Sequence, residues 1–415
     1  MTGISIIVAF VLFLFLFISI RNKDCKQFTS IFILLLLLYD WIFICIGYAL
    51  PSQIVLILKS FSEILIMLFL LLLLARTGRY VVVEKIDVLI AVFCGIPFIT
   101  SILSGGGFSS LALSGYKDFF FVYIISYLLL KSRYLVVDYR VLDIITIIVS
   151  TGAILQTFFF NGNLETLWFY NSFDNLPENP VDVGYYNYLK DDALRATSCF
   201  VTPIDLSITS AMLIIYHVSQ VFANKEKSAG QLMLAIYAFV GLWISQTRVG
   251  LVIVAIGICT LILLKIKKNK ISLWILYLIP LSFIALTFLM MVVGKIDDYS
   301  ALGRMVQYAN FINDFSLMGG GIGDYDAIFK YDSFLLCSFK MMGIFAILYF
   351  ILYFRLFNTV VSCLNNCGSK VLYLPFVVAT STAMMYAFVF QHLAGSIALI
   401  LVTIFMFDVL RNYNK

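Results

Sequence analysis

Long uninterrupted runs of apolar residues constrain the fold of this chain more than any other feature. Examples are Ile4–Ile20, Phe28–Leu50, Val249–Leu264 and Met341–Phe354. A helix needs about 20 residues to cross the hydrocarbon of a bilayer, and only helices or closed barrels satisfy their backbone in lipid. Because apolar and polar residues do not alternate, the pattern favours helices. With 62% hydrophobic and 12% charged residues, the composition excludes an ordinary soluble domain.

These runs predict an all-α, polytopic membrane fold in which residues 1–415 form a single integral membrane domain. We expect about thirteen transmembrane helices, with twelve and fourteen as the neighbouring counts. The predicted spans are approximately Ile4–Ile20, Phe28–Leu50, Ile54–Leu74, Ile86–Leu103, Phe119–Leu130, Val141–Phe160, Ile204–Val221, Leu232–Ile244, Val249–Leu264, Leu273–Val293, Phe334–Phe354, Val371–Phe390 and Ala394–Leu410.

Lysine and arginine are concentrated in every second segment between the spans, from residues 21–26 to residues 411–415. Cytoplasmic loops carry such an excess of positive charge. The alternation predicts that the N-terminus lies outside and the C-terminus in the cytoplasm. The net charge of +5 follows from these loops, so no nucleic-acid partner is expected. Two outer segments, 161–203 and 294–331, are predicted as long extracytoplasmic loops, and loops of this length are usually functional or disordered.

Basic residues are disfavoured in outer segments, so each one present there needs a reason. Arg248 lies between two predicted spans with almost no loop around it, Arg195 ends the first long loop, and Arg304 lies in the second. The guanidinium donates paired hydrogen bonds to phosphate and stays charged, which makes all three candidate ligands of an anion. The alternatives are that Arg248 snorkels to lipid phosphates and that each of the three pairs with a neighbouring aspartate, for which Asp191, Asp192, Asp297 and Asp298 are available.

The second long loop also contains glycines and acids. Gly319–Gly323 is followed by Asp324, Tyr325 and Asp326, and Asp332 precedes the next predicted span. Glycines let a backbone approach a ligand or cradle phosphate, although the Gly-Lys-Ser/Thr of a nucleotide-binding loop is missing. Asp332 is equally well placed to cap a helix. No spacing of Cys or His indicates a metal site or a disulfide framework, and we expect no cofactor.

Three stretches are more specific than the hydrophobic pattern. They are Arg195 with Thr197, Ser198, Phe200, Thr202 and Pro203; Ser245-Gln246-Thr247-Arg248-Val249-Gly250; and Gly303-Arg304 with Gly319–Gly323, Asp332, Leu335 and Gly343-Ile344. Taken in order, they resemble the Wzy-type O-antigen and capsular polysaccharide polymerases and, more distantly, the O-antigen ligases. The third stretch is the most specific, and the rest of the chain is similar only in the number and order of its hydrophobic spans.

The resemblance implies a GT-C-like, inverting, metal-independent glycosyltransferase of the bacterial inner membrane. Its substrates would be repeat units linked to undecaprenyl diphosphate, with the growing glycan transferred onto an incoming unit at the periplasmic face. Beside the bilayer, a chain-length regulator is a candidate partner. The candidate catalytic residues are Arg195, Arg248, Arg304, Asp332 and Asp326. The candidate substrate-binding residues are Lys190, Asp191, Ser245, Gly321, Gly323, Asp324 and Tyr325.

In this interpretation Arg195 and Arg248 bind the diphosphate and stabilise the leaving group, and Asp332, Asp326, Asp324 and Asp191 remain alternative bases. The second loop has no histidine, unlike that of the ligases, which favours a polymerase and keeps a ligase as the alternative. Some polymerases carry a glycine where Phe315 stands, which leaves the role of Arg304 open. The non-enzyme alternative is a lipid-linked oligosaccharide flippase or another transporter, a class that places polar residues near the bilayer midplane.

Overall fold

The computed structural model describes residues 2–22, 25–47, 137–159, 189–190, 193–200, 202–223, 228–266, 299–321, 331 and 333–348, with isolated positions elsewhere. Some predicted spans lie outside these residues apart from isolated positions, namely Ile54–Leu74, Ile86–Leu103, Phe119–Leu130, Leu273–Val293, Val371–Phe390 and Ala394–Leu410. The same is true of residues 161–188 in the first predicted loop.

The described residues form helices, which confirms the all-α class for this part of the chain. The helices are α1 (Thr2–Arg21), α2 (Cys25–Gly47), α3 (Arg140–Phe158), α4 (Pro203–Ala223), α5 (Ser228–Ile244), α6 (Arg248–Ile266), α7 (Tyr299–Asp314) and α8 (Phe334–Met342), with a 3-10 turn at Gly343–Phe345. One antiparallel pair, β1 (Leu189–Lys190) with β2 (Ala193–Leu194), precedes α4. Of the described helices, α3 and α4 are long and apolar enough to cross a membrane. The number of spans and the GT-C-like arrangement stay predictions.

The chain divides into two compact units. The first comprises Met1–Arg79, Tyr127–Ile258 and Val371–Phe376, and the second comprises Tyr80–Ser126, Cys259–Lys370 and Val377–Lys415.

Within the first unit α4 is the central helix, since it packs against both α5 and α3 and is buried along most of its length. Small residues allow close contact between the helices. Gly241 of α5 faces Ser210 of α4, and Gly250 of α6 faces Ser207 of α4. A β-carbon at Gly250 would overlap the Ser207 side chain. Such pairs of small residues let helices approach closely where van der Waals packing holds them together.

A buried polar network also connects α3, α4 and α5. His217 is fully buried, with Nε2 at 2.7 Å from Thr146 Oγ1 and Nδ1 at 2.7 Å from Gln231 Oε1. Asp143 Oδ1 lies 3.8 Å from the same Nδ1. Because a buried polar group without a partner costs about 1–3 kcal/mol, these bonds favour one packing register of the three helices.

The outer faces of the first unit are apolar. Phe10 and Phe17 of α1 are exposed, as are Met233 and Trp243 of α5. Water-soluble monomers rarely carry apolar surface of this extent. The pattern supports the prediction that these helix faces contact lipid.

The second unit is described over α7, residues 315–321, Tyr331 and α8 with its following turn. The helix α7 lies inside the predicted loop 294–331, so part of that loop is helical. The predicted span Phe334–Phe354 is interrupted, because α8 ends at Met342 and Gly343 has φ +56°. The 3-10 turn follows, and helical structure resumes at residue 346. Position 343 requires glycine, because the carbonyl of Leu317 occupies the space where a β-carbon on this residue would lie.

Candidate functional site

Two of the three specific stretches meet in the first unit, at the turn between α5 and α6. The Arg195 guanidinium donates from Nη2 to Thr247 Oγ1 at 2.8 Å and from Nε to Ser245 O at 3.4 Å. The backbone N–H of Ala196 donates to Ile244 O at 3.4 Å. The chain that follows β2 therefore lies directly against this turn, and Arg195 contacts the residue immediately before Arg248.

The turn itself is tight and internally bonded. Gln246 has a positive φ of 49°, which a residue with a side chain adopts only when its surroundings hold it there. Ser245 is fully buried, and its hydroxyl donates to Leu242 O at 2.7 Å. Thr247 Oγ1 donates to Ser245 O at 2.9 Å while accepting from Arg195. The predicted ligand Ser245 thus shapes the turn and offers its carbonyl to Arg195, with its hydroxyl turned inward.

The loop that carries Arg195 is held from the other side by Gln156 of α3. The Oε1 atom of this buried side chain accepts from the backbone N–H groups of Thr197 at 2.9 Å and Ser198 at 2.7 Å. Its Nε2 donates to Thr197 Oγ1 at 3.0 Å. One amide side chain therefore makes three hydrogen bonds to two consecutive residues of the loop.

Ser198 completes this attachment to α3. Its hydroxyl donates to Val149 O at 2.7 Å, and its φ is +58°. A left-handed conformation costs a residue with a β-carbon about 1–2 kcal/mol, so the surrounding bonds must hold it. Glycine at position 152 leaves space for the Ser198 side chain, because a β-carbon there would lie 2.5 Å from Ser198 Oγ. The backbone next to Arg195 is therefore fixed in one shape.

Burial affects the charge of Arg195. The side chain is half-buried, and desolvation lowers the pKa of its guanidinium from the ordinary value. An arginine nevertheless stays protonated in proteins, so the site keeps its positive charge. A partly desolvated cation gains more from an anionic ligand than one fully in water, because the local dielectric is lower.

Arg248 is placed differently. It is the first residue of α6, its side chain is exposed, and it makes no hydrogen bond or ion pair to another described residue. The positive end of the helix dipole lies at the same place, which adds to the attraction for an anion. The aspartates available as its partner, Asp191, Asp192, Asp297 and Asp298, lie outside the described residues.

The remaining predicted site residues belong elsewhere or lie outside the described residues. Arg304 is in α7 of the second unit, and its side chain is not among those described. Lys190 is in β1, paired through its backbone with Ala193, and its side chain is likewise not described. The predicted residues outside the description are Asp191, Gly323, Asp324, Tyr325, Asp326 and Asp332.

Gly321 has a structural function that the sequence did not indicate. Its backbone N–H donates to Met341 O at 3.0 Å, and the N–H of Gly320 donates to Lys340 O at 2.8 Å. These carbonyls are at the C-terminal end of α8, where a helix leaves acceptors without partners of its own. The two amides are therefore engaged within the protein, so neither is free to cradle a phosphate.

Sequence reasoning missed Gln156 and Thr247 as parts of the site. Gln156 had a usable signal, since it is a polar residue in the predicted span Val141–Phe160, and such residues often mark functional positions. Thr247 was quoted only as part of a motif. Its bond to Arg195 depends on how two distant segments pack, which no local pattern indicates.

Among the described residues, no group of three or more His, Cys, Asp or Glu side chains is arranged to hold a metal ion. No protein-family model, curated protein or solved structure matches this chain. The described part is a helical protein with two membrane-length helices and a cationic turn, and its function has to be argued from that turn.

Proposed function

We propose that this protein is a polysaccharide polymerase of the bacterial inner membrane. It transfers a growing glycan from undecaprenyl diphosphate onto an incoming lipid-linked repeat unit at the periplasmic face. The single observation that carries the proposal is the contact between Arg195 and the Ser245–Arg248 turn. That contact joins two of the three stretches on which the resemblance to this family rests.

The chemistry asks for a cationic site near the membrane surface. When the anomeric carbon of the donor sugar is attacked, negative charge develops on the departing lipid diphosphate. Fixed donors aimed at that charge stabilise the transition state without reorganising. Arg195 suits this role because Gln156, Ser198 and Thr247 hold its backbone and side chain in place.

Arg248 supplies a complementary function. Its exposed guanidinium at the start of α6 is available to a second diphosphate oxygen. A diphosphate carries several acceptor oxygens, and the planar fork of arginine binds two of them at once. A fixed and an exposed arginine next to one turn therefore form a diphosphate site in which binding energy is directed at the leaving group.

The acceptor hydroxyl attacks in line, with inversion at the anomeric carbon. A carboxylate assists by removing the hydroxyl proton if its pKa and geometry allow. Asp332, Asp326, Asp324 and Asp191 remain the candidates for this role, and all four lie outside the described residues. Because a diphosphate is a good leaving group, the reaction needs little help from a base, and we attribute most of the rate enhancement to the arginines.

Deletion of the gene provides the first test. We expect surface lipid A to carry a single repeat unit in place of a ladder of polymer lengths, since synthesis and export of the unit are unaffected. Loss of even the single-repeat band, with lipid-linked polymer accumulating, would identify a ligase. Accumulation of the repeat unit on the cytoplasmic leaflet would identify a flippase.

Purified protein in vesicles provides the second test. With purified lipid-linked repeat units as the only substrate, we expect polymer from the wild type and none from Arg195→Ala. The matched control is Arg140→Ala, which removes an exposed arginine from the start of α3, away from the turn. Polymer formation by Arg195→Ala at the control rate would contradict the proposal.

A further inference from the structure

The helices α7 and α8 of the second unit contact each other. Near the start of α8, Tyr308 OH lies 3.3 Å from Ser333 Oγ. Near its end, Lys340 Nζ donates to Asp314 O at 3.1 Å. Residues in the C-terminal half of α7 therefore lie near both ends of α8, and the segment that follows α7 lies beside the C-terminal end of α8.

If Phe334–Phe354 is a span that starts at the outer surface, the depth of a residue in the membrane follows from its distance along α8 from Phe334. At a rise of about 1.5 Å per residue, Gly343 lies about 14 Å from Phe334 along the axis of α8. This distance is close to half of the ~30 Å hydrocarbon core. The break at Gly343 then falls near the bilayer midplane.

A shallower placement is less favourable. If the span began at Gly343, a crossing of about 20 residues would put Arg355 near its centre. A charged side chain at the centre of a membrane helix costs at least about 2.5–3.5 kcal/mol. Starting the span at Phe334 leaves Arg355 at the cytoplasmic boundary, where the positive-inside pattern places it.

The segment 315–321 lies beside this break, and its backbone is satisfied from within. The amides of Gly320 and Gly321 donate to α8, the amide of Gly319 donates to Ser316 O, and Ile344 N–H donates to Leu317 O. Gly319 and Gly343, with φ of +76° and +56°, permit the contact because β-carbons there would collide with the opposite backbone. Irregular backbone at membrane depth requires this kind of internal pairing.

Among the outward side chains of the same segment, Phe315, Leu317 and Met318 are apolar and Ser316 is polar. Leu317 is 65% exposed and Met318 is 56% exposed. This surface continues along the helix with Ile344, Ile347 and Ile351, which are also exposed. The patch is therefore continuous with the side of the predicted span that faces lipid, and no charged side chain interrupts it among these residues.

The positive charge of Lys340 is also stabilised by a contact between α7 and α8. Lys340 lies in the predicted span, where an unpaired ammonium is expensive. Its Nζ donates to the carbonyl of Asp314, the last residue of α7. The C-terminal end of a helix carries partial negative charge, so a cation is favourable there. The same end is fixed by Tyr331 OH, which donates to Asp314 Oδ2 at 2.6 Å.

We propose that residues 315–321 form the tip of a re-entrant segment. The chain enters the membrane from the outer side after α7 and turns near the midplane beside the end of α8, where Leu317 and Met318 contact lipid acyl chains. This assignment rests on the predicted span Phe334–Phe354 and is independent of the polymerase proposal. It moves residues 315–321 out of the aqueous loop in which the sequence placed them.

Oxidative footprinting of the wild-type protein in lipid vesicles tests the proposal without any substitution. Water-borne hydroxyl radicals oxidise methionine sulfur where water reaches it. Met318 and Met233 are 56% and 72% exposed, and Met233 faces outward on the apolar helix α5. We expect both to be oxidised slowly in vesicles and quickly after denaturation. Oxidation of Met318 in vesicles as fast as in the denatured protein would overturn the assignment.

Cysteine variants supply a second, independent measurement. Met318→Cys and Gly303→Cys are treated in intact vesicles with a charged maleimide, and the modified peptides are quantified by mass spectrometry. Gly303 is exposed near the start of α7, in the predicted outer loop 294–331. Because only a hydrated thiolate reacts, we expect modification at 318 to be at least about tenfold slower than at 303. Equal rates at the two positions would contradict the proposal, and Leu317→Cys repeats the test if Met318→Cys does not accumulate.

Discussion

At the scale of single residues, the two arginines of the candidate site differ in how they are held. Arg195 is half-buried and bonded to Thr247 and Ser245, whereas Arg248 is exposed at the start of α6. A fixed cation contributes preorganisation, and an exposed one contributes capture of an anion from the membrane surface. Substitutions at the two positions should therefore have different signatures.

The first prediction concerns Arg248. We expect Arg248→Lys to be nearly as damaging as Arg248→Ala, with both proteins inserted at wild-type levels. A lysine reaches the membrane surface as well as an arginine does, but it lacks the planar fork. Losing one charge-assisted hydrogen bond, about 1.5–3 kcal/mol, should slow turnover roughly 10- to 150-fold. Polymer length on gels and turnover of purified lipid-linked units provide the readout. Wild-type turnover in Arg248→Lys would remove Arg248 from the site.

The second prediction concerns Gln156, whose part in the proposed mechanism is to position the loop of Arg195. Gln156→Leu keeps the side-chain volume and removes all three hydrogen bonds, so we expect turnover to fall about tenfold or more with little change in KM. Gln156→Glu keeps the oxygen that accepts from Thr197 and Ser198, and it should recover most of the activity. The idea fails if the leucine variant turns over normally, or if both variants are equally impaired.

At the scale of helices and turns, close approach of backbone segments decides the shape of the second unit. Gly319 and Gly343 face each other across the contact between residues 315–321 and the end of α8, each with positive φ. The hydrogen bonds of Gly320 and Gly321 complete the C-terminal end of the helix. A glycine cluster that looked like a ligand loop is therefore required for packing in its first three residues.

The third prediction follows from this contact. Gly343→Ala should destabilise the protein, because alanine pays at least about 1–2 kcal/mol for positive φ and its β-carbon also overlaps Leu317. The matched control is Gly303→Ala in α7, where no other atom lies within 4 Å of the new β-carbon. There alanine should be neutral or stabilising by about 0.5–1 kcal/mol. Thermal unfolding in detergent compares the two, and equal Tm values would show that the contact is not formed.

At the scale of the whole molecule, charge predicts the orientation in the membrane and hydrophobicity predicts the number of spans. Lysine and arginine alternate between successive segments along the chain. This pattern predicts that Asn175, in the first long loop, lies outside and that Lys415 lies in the cytoplasm. The candidate site in the first unit then lies at the outer surface, where flipped lipid-linked sugars are found.

The fourth prediction tests that orientation. Alkaline phosphatase folds only outside the cytoplasm, so a fusion at Asn175 should be active and a fusion at Lys415 inactive. A green fluorescent reporter should give the opposite pattern. Active phosphatase at Lys415 would invert the topology, and the arginines of the turn would then face the wrong side for the proposed substrate.

The sequence located most of the described helices with small errors at their ends. The predicted span Ile204–Val221 corresponds to α4 at Pro203–Ala223, and Val249–Leu264 corresponds to α6 at Arg248–Ile266. This success is physical, because the transfer of each apolar residue out of water contributes additively to a local signal. The helix α7 was not predicted, since half of its residues are polar and its apolar face is short.

The site was located only in part. Arg195 and Arg248 stood out in the sequence because a cation in an outer segment is unusual, and that signal is local. The sequence did not indicate that Arg195 bonds to Thr247 or that Gln156 bonds to the loop. It also did not indicate that the Ser245 hydroxyl donates to Leu242 O inside the protein. Each depends on the relative position of two helices.

What the sequence determined by itself is the helical class, the expected membrane environment and the identity of the outer arginines, since these follow from the polarity of neighbouring residues. The tertiary structure decided which arginine is held and by what, and it decided that Gly320 and Gly321 complete a helix end. It also decided that the predicted span beginning at Phe334 breaks at Gly343. The physical reason is that a packing contact depends on the shapes of two segments distant in the chain, and no property of either segment alone specifies it.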